Sequence, residues 1–188
     1  MEMWGAGGGG GGFDDRFLGS SIDFIPGSGG GAGAFMRAVI SVTPAATYTV
    51  TVGTAGAGGK PGLFDEGNQS GSSSSPGGPG LDSTIADSAS TIVARAGGGG
   101  GGGAAGYQSC DAGGAGGISA TGTNIIGRNG GSGQQCDLVG INTAGAGGVV
   151  AFISTLQPAG AGGTGSYVAD GVATNGQDGQ NGYVLITF

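Results

Sequence analysis

Two adjacent carboxylate pairs, Asp14–Asp15 and Asp65–Glu66, are the residues whose spacing could support general acid–base chemistry or hold a calcium ion. Both lie in turn-like stretches, where solvated acidic side chains are the ordinary outcome. The stretch NGQDGQNG (175–182) has the composition of a calcium-binding turn but not the ligand spacing of an EF-hand loop. The chain has no histidine, so the commonest acid–base side chain is missing. TAGAGGKPG (54–62) approaches a phosphate-binding loop and fails it twice. Thr54 stands where the first glycine is required, and Pro61 follows Lys60 where a hydroxyl residue should coordinate magnesium. Matches to G-x-G-x-x-G are unavoidable within glycine runs and carry no weight, and there is no G-x-S-x-G nucleophile elbow. Catalytic residues, cofactors and bound metals are therefore not expected, and the chain reads as non-enzymatic.

Cys110 and Cys136 each precede an aspartate. They suit a disulfide in an oxidising compartment and equally suit two buried thiols, while two cysteines without histidine do not make a zinc site. Asn68-Gln69-Ser70 forms one glycosylation sequon. Five cationic against twelve acidic residues give a net charge of −7 and an isoelectric point near 4.1. Nucleic acid is excluded as a partner on that balance, because phosphate neutralisation needs clustered Lys and Arg. No apolar run reaches membrane-spanning length, so no membrane insertion is expected. The N-terminal MEMWGAGG has no basic or apolar leader region. Either processing has already occurred or the protein is assembled inside a cell and released later.

The elements that would position any site are unusual. Glycine supplies 52 of 188 residues, with seven in succession from Gly97 to Gly103. Disorder and a collagen triple helix both compete for such a composition. Six prolines and a broken Gly-X-Y frame exclude collagen. Against disorder stand 9% charged residues, a mean hydropathy of +0.12 and apolar residues grouped into strand-like runs. Outside the homopolymeric runs glycine recurs every third residue: Gly53, Gly56, Gly59, Gly62; Gly27, Gly30, Gly33; Gly127, Gly130, Gly133; Gly176, Gly179, Gly182. A three-residue period belongs to the extended polyproline-type helix, which rises about 3.1 Å per residue and has no internal hydrogen bonds. Its buried N–H and C=O groups must bond laterally, and only glycine or alanine lets backbones approach closely enough. The sequence thus predicts a core of packed polyglycine II helices, in which Gly100→Val should be far more damaging than Ser73→Val.

Strand-like runs occupy about 2–4, 34–52, 90–96 and 182–188. In TYTVTV (47–52) apolar and threonine positions alternate with a period of two, and Pro44 opens a short turn before it. The predicted fold is one mainly β and irregular domain over residues 1–188, with a small antiparallel β-scaffold, a polyglycine II bundle and no significant α-helix. Connecting segments would gather at the bundle ends. They carry aromatic residues that suit glycan or protein surfaces, or that cap the bundle: Phe13, Phe17, Tyr107 and Tyr167 are the candidate receptor-contact residues. VVAFISTL (149–156) is apolar throughout, and the terminal runs could offer strand edges to a neighbouring subunit. Trp4, Val150, Phe152 and Phe188 are the candidate assembly residues.

WGAGGGGGG (4–12), SVTPAATYTVTVGTAGAGG (41–59), STIVARAGGGGGGG (90–103) and NGQDGQNGYVLITF (175–188), in that order, resemble the glycine-rich domain of phage tail-fibre proteins and adhesins. The resemblance implies a structural and adhesion protein, extracellular or part of a virion, whose loops bind a host cell-surface glycan or protein. The chain begins at Met1 inside the motif, with no attachment module ahead of it. That feature, with the apolar stretch 149–156 and the terminal strands, supports the alternative expectation of a secreted subunit that assembles with itself into a homo-oligomer or an extracellular fibre.

Overall fold

The computed structural model describes residues 1–18, 21–65, 70–106, 109–119, 125–135, 144–149, 160–166, 168–169 and 172–187. The fold is mainly β and irregular, with no helix among these residues, as the sequence predicts. One end is a small sandwich. Its first sheet has the order β12 (Ile125–Arg128), β4 (Phe35–Ala38), β1 (Glu2–Trp4), β15 (Tyr183–Leu185). The second has the order β5 (Thr49–Thr51), β8 (Ser83–Ala86), β9 (Ile92–Ala96). All pairings are antiparallel. Met3, Met36 and Ala38 of the first sheet pack on Ile85, Ala94 and Ala96 of the second, which removes this apolar surface from water. Trp4 stacks at a tilt on Phe35 and Tyr183, with centroids 4.7 and 5.7 Å away.

The sandwich strands continue into glycine-rich columns, and these form the rest of the core. In the column 5–12, the amides of Gly5, Gly8 and Gly11 bond the carbonyls of Ala34, Gly31 and Ser28. Those of Ala6, Gly9 and Gly12 bond Leu81, Gly78 and Ser75, and those of Gly7 and Gly10 bond Gln180 and Gln177. Each third residue thus returns to the same antiparallel neighbour, over bonds of 2.8–3.0 Å. The carbonyls of this column are taken by three parallel neighbours: Gly56 and Gly59, Gly99 and Gly102, and Gly163 and Ser166 donate to it. Column 27–34 is surrounded in the same way by 5–12, 97–105, 112–118, 130–134, 144–149 and 160–166.

The columns therefore stand in three rows. The outer rows are 75–81, 97–105, 112–118 and 176–182, 160–166, 144–149; the middle row is 53–62, 5–12, 27–34, 130–134. Residue choice follows from this spacing. A Cβ added at Gly8, Gly10 or Gly31 would lie closer than 3.0 Å to a carbonyl oxygen of the next column. At Gly100, by contrast, the nearest atom is the Ala115 nitrogen at 3.1 Å. Gly100, the position singled out in the sequence, is thus one of the less crowded of its column.

Three strand assignments differ from the sequence reading. In the run 34–52 the strands β4 and β5 flank the expected turn at Pro44–Ala45, but they enter different sheets instead of pairing with each other. β8 and β12 were not apparent in the sequence. Gly127 lies within β12 opposite Met36, so it is a strand residue and not the start of a three-residue glycine repeat.

Candidate binding end

Every column runs between the sandwich and an opposite end, and the hairpins collect at that opposite end. β2 (Asp14–Leu18) and β3 (Ser21–Ile25) join columns 5–12 and 27–34, with Phe17 in register with Ile22. β6 (Leu63–Asp65) and β7 (Ser70–Ser72) join 53–62 to 75–81. β10 (Ala105–Gly106) and β11 (Ser109–Cys110) join 97–105 to 112–118. β13 (Val168–Ala169) and β14 (Val172–Ala173) join 160–166 to 176–182.

The hairpin bases are tied to one another and to the columns. The Gly62 amide donates to the Phe13 carbonyl at 2.7 Å, and the Ala105 amide to the Gly12 carbonyl at 3.0 Å. The Ser74 hydroxyl donates to the Ala105 carbonyl at 2.6 Å, and the Ser28 hydroxyl to the Asp111 carbonyl at 2.5 Å. Ser28 is fully buried, so this bond satisfies a hydroxyl that would otherwise be costly to remove from water. The arrangement places short connections on a base whose backbone groups are bonded in several directions. Such a base holds loop geometry without large side chains, as binding loops on a rigid scaffold require.

Of the candidate receptor-contact residues, Phe13 is 1% exposed. Burial in the single chain agrees with the capping alternative that the sequence left open for this ring. Phe17 lies in β2, in register with Ile22 of β3. Tyr107 and Tyr167 lie outside the described residues. Among the assembly candidates, Trp4 is 4% exposed and packed between Phe35 and Tyr183, so within one chain it is a core residue. Val150, Phe152 and Phe188 lie outside the described residues. Cys110 sits in β11 opposite Ala105, while Cys136 also lies outside them. Among the described residues no group of three or more His, Cys, Asp or Glu could hold a metal ion, and no helix is long and apolar enough to cross a membrane.

Residues that matter to the scaffold were missed in the sequence. Where a column at the margin lacks a neighbour, Asp and Asn side chains replace the absent carbonyl. Asp178 Oδ1 accepts the Gly58 amide at 2.7 Å and Asn181 Oδ1 the Ala55 amide at 2.9 Å. Asp82 Oδ1 accepts from Gly98 at 2.8 Å, and Asn129 Oδ1 from Ser119 at 3.0 Å. Pro76 and Pro79 are exposed, whereas Ser75, Gly77, Gly78, Gly80 and Leu81 all donate to other columns. Proline thus occupies the positions of its column that have no backbone donor to supply. The usable signal was the three-residue spacing of 178 and 181 and of 76 and 79.

A β-sandwich continued into laterally bonded glycine columns, with its hairpins gathered at one end, defines a class of protein whose core is mostly backbone. The chain belongs to the glycine-rich domain family, whose model it matches over residues 1–188. No curated protein sequence matches it.

Proposed function

We propose that the columns are polyglycine II helices and that the domain is a non-enzymatic structural and adhesion protein of a virion or its tail fibre. In this reading the lattice supplies stiffness, and the hairpin end contacts a glycan or protein on a host cell surface. The observation that carries it is the collection of the hairpins β2–β3, β6–β7, β10–β11 and β13–β14 at one end of a backbone-bonded base. The likeness to phage tail-fibre glycine-rich domains supports the same assignment. Phe17, Tyr107 and Tyr167 are the aromatic residues of these connections that would meet the receptor.

The test is binding of the labelled chain to whole host-range panels of cells and to glycan arrays. Each hairpin is replaced in turn by a short glycine–serine connection. The expected result is loss of cell binding in at least one replacement, with the melting temperature of the columns retained. Unchanged binding across all replacements would reject the receptor role. A secreted subunit that assembles with itself into an extracellular fibre is the second reading, favoured by the exposed apolar residues of the sandwich end. Negative-stain electron microscopy separates the two readings, since regular filaments of the purified chain would support the fibre subunit.

A further inference from the structure

The sandwich has one side on which two sheet edges end without partners among the described residues. β5 terminates the second sheet and β15 the first. Between them lies a groove of about 410 Å3, floored by Ala38 and Ile85 and walled by Ile40, Tyr48, Val50 and Ile186. Val39 is 81% exposed, Val42 53%, Val52 47% and Val50 41%. An apolar exposure of this continuity marks an interaction surface, because depletion of charge is the compositional signature of an interface core.

Edge strands in soluble proteins are normally blunted by Lys, Pro, a bulge or a covering segment. β9, at the other edge of the same sheet, carries Arg95 and follows a bulge between Ile85 and Ala86 in its pairing. β12, at the far edge of the first sheet, ends on Arg128. Among the described residues β5 has none of these devices: Thr49, Val50 and Thr51 are all exposed, and no charged residue occurs between Arg37 and Lys60. A strand this short and uncharged is self-complementary when turned antiparallel on a copy of itself.

Charge decides what kind of partner fits. At the sandwich end Glu2 pairs with Arg37, and Asp82 pairs with Arg95 at 2.6 Å. Asp87 Oδ1 accepts the Ala89 and Thr91 amides. The acidic residues Asp14, Asp15, Asp23, Asp65 and Asp111 lie at the hairpin end. Joining two chains through β5 brings together strands without a charged side chain, beside a groove whose one charged group, the Met1 ammonium, already donates to the Ala38 carbonyl at 3.0 Å, and holds the acidic ends apart.

We propose that two copies of this chain dimerise through β5, the free edges pairing antiparallel about Val50 across a twofold axis. The second sheets then form one continuous sheet, and the Val39, Val42 and Val52 side chains of the two copies cover each other's grooves. The dimer would present hairpin ends on opposite sides, so that two contacts could add through avidity. This inference does not depend on what the hairpins bind.

The test is sedimentation equilibrium of the full chain from micromolar to submillimolar concentration at physiological salt. A monomer–dimer equilibrium is expected, and Val50→Lys should raise its dissociation constant about tenfold or more, equivalent to about 1.4 kcal/mol. Ile126→Lys, on the arginine-bearing edge strand β12, is the matched control, since Ile126 is 61% exposed and should leave the dimer intact. Thr51→Lys serves as a second β5 variant if Val50→Lys alters the melting temperature. A chain that stays monomeric throughout, or a dimer that Ile126→Lys weakens as much as the β5 variants do, would overturn the proposal. In the monomeric case the groove is left to a strand of a different protein.

Discussion

Asp178 accepts the backbone N–H of Gly58 through Oδ1 at 2.7 Å, across 120 residues of sequence. One repeat further along, Asn181 accepts the Ala55 amide in the same way. The side chains stand where the carbonyls of a further column would be. The repeat does not extend to residue 61, where proline has no amide to satisfy.

Removing one of these acceptors should have a modest and additive cost. Asp178→Ala is expected to destabilise the chain by about 0.5–1.5 kcal/mol, the net worth of an ordinary hydrogen bond, and to lower the melting temperature by a few degrees. Asp178→Asn keeps the oxygen and should retain most of the stability. A loss in the asparagine variant as large as in the alanine variant would assign the effect to charge instead of to the acceptor.

Crowding should grade the glycine substitutions. Gly8→Ala would force a methyl against the Gly100 carbonyl at the centre of the lattice, whereas Gly78→Ala meets nothing closer than the Ala57 nitrogen at 3.3 Å. The first should cost about 1–3 kcal/mol or more, as overpacking does, and the second less than about 1 kcal/mol. Thermal melts of the two variants provide the comparison, and equal melting temperatures would reject the lattice as the source of stability.

Proline should be tolerated in register and nowhere else in its column. Pro79→Ala leaves all the lateral bonds of column 75–81 in place and should shift stability by less than about 1 kcal/mol. Gly80→Pro removes the donor to the Gly99 carbonyl at 2.8 Å and should destabilise by more than that. Amide exchange at Gly78 and Leu81 reads the same distinction locally, with faster exchange expected only for Gly80→Pro.

Ser83 joins the sandwich to the lattice. Its fully buried hydroxyl donates to the Trp4 carbonyl at 2.6 Å and accepts the Gly53 amide at 3.0 Å. Ser83→Ala leaves that amide and that carbonyl without these bonds, at an expected cost of about 1–3 kcal/mol. Denaturant unfolding gives the stability change, and exchange of the Gly53 amide locates it.

Much of the architecture was legible because its cause is local. A three-residue glycine period can satisfy its backbone only sideways, so Gly53, Gly56 and Gly59 point to lateral packing before any neighbour is known. The alternation in TYTVTV likewise contains β5. The pairing of strands was less accessible. STIA and IIGR are too short to show a period, and Gly127 mimicked the glycine repeat from inside a strand. The Asp178 and Asn181 acceptors show a three-residue spacing in the sequence, but the amides they satisfy belong to a column brought alongside only by the complete fold. Phe13 and Trp4 show the limit of residue type as a guide, since both rings are buried within one chain and residue type alone does not separate a buried ring from one that meets a partner.

The central column, residues 5–12, is synthesised well ahead of several of the columns that surround it. Its amides at Gly7 and Gly10 are nevertheless received by the carbonyls of Gln180 and Gln177, which lie far downstream in the sequence. Nascent chains therefore carry a core segment whose partners do not yet exist, and lateral bonding cannot be completed during synthesis. Contacts so distant in sequence favour slow folding. The expected course is a late, cooperative closure once residues near 180 have emerged, with the glycine runs hydrated until then.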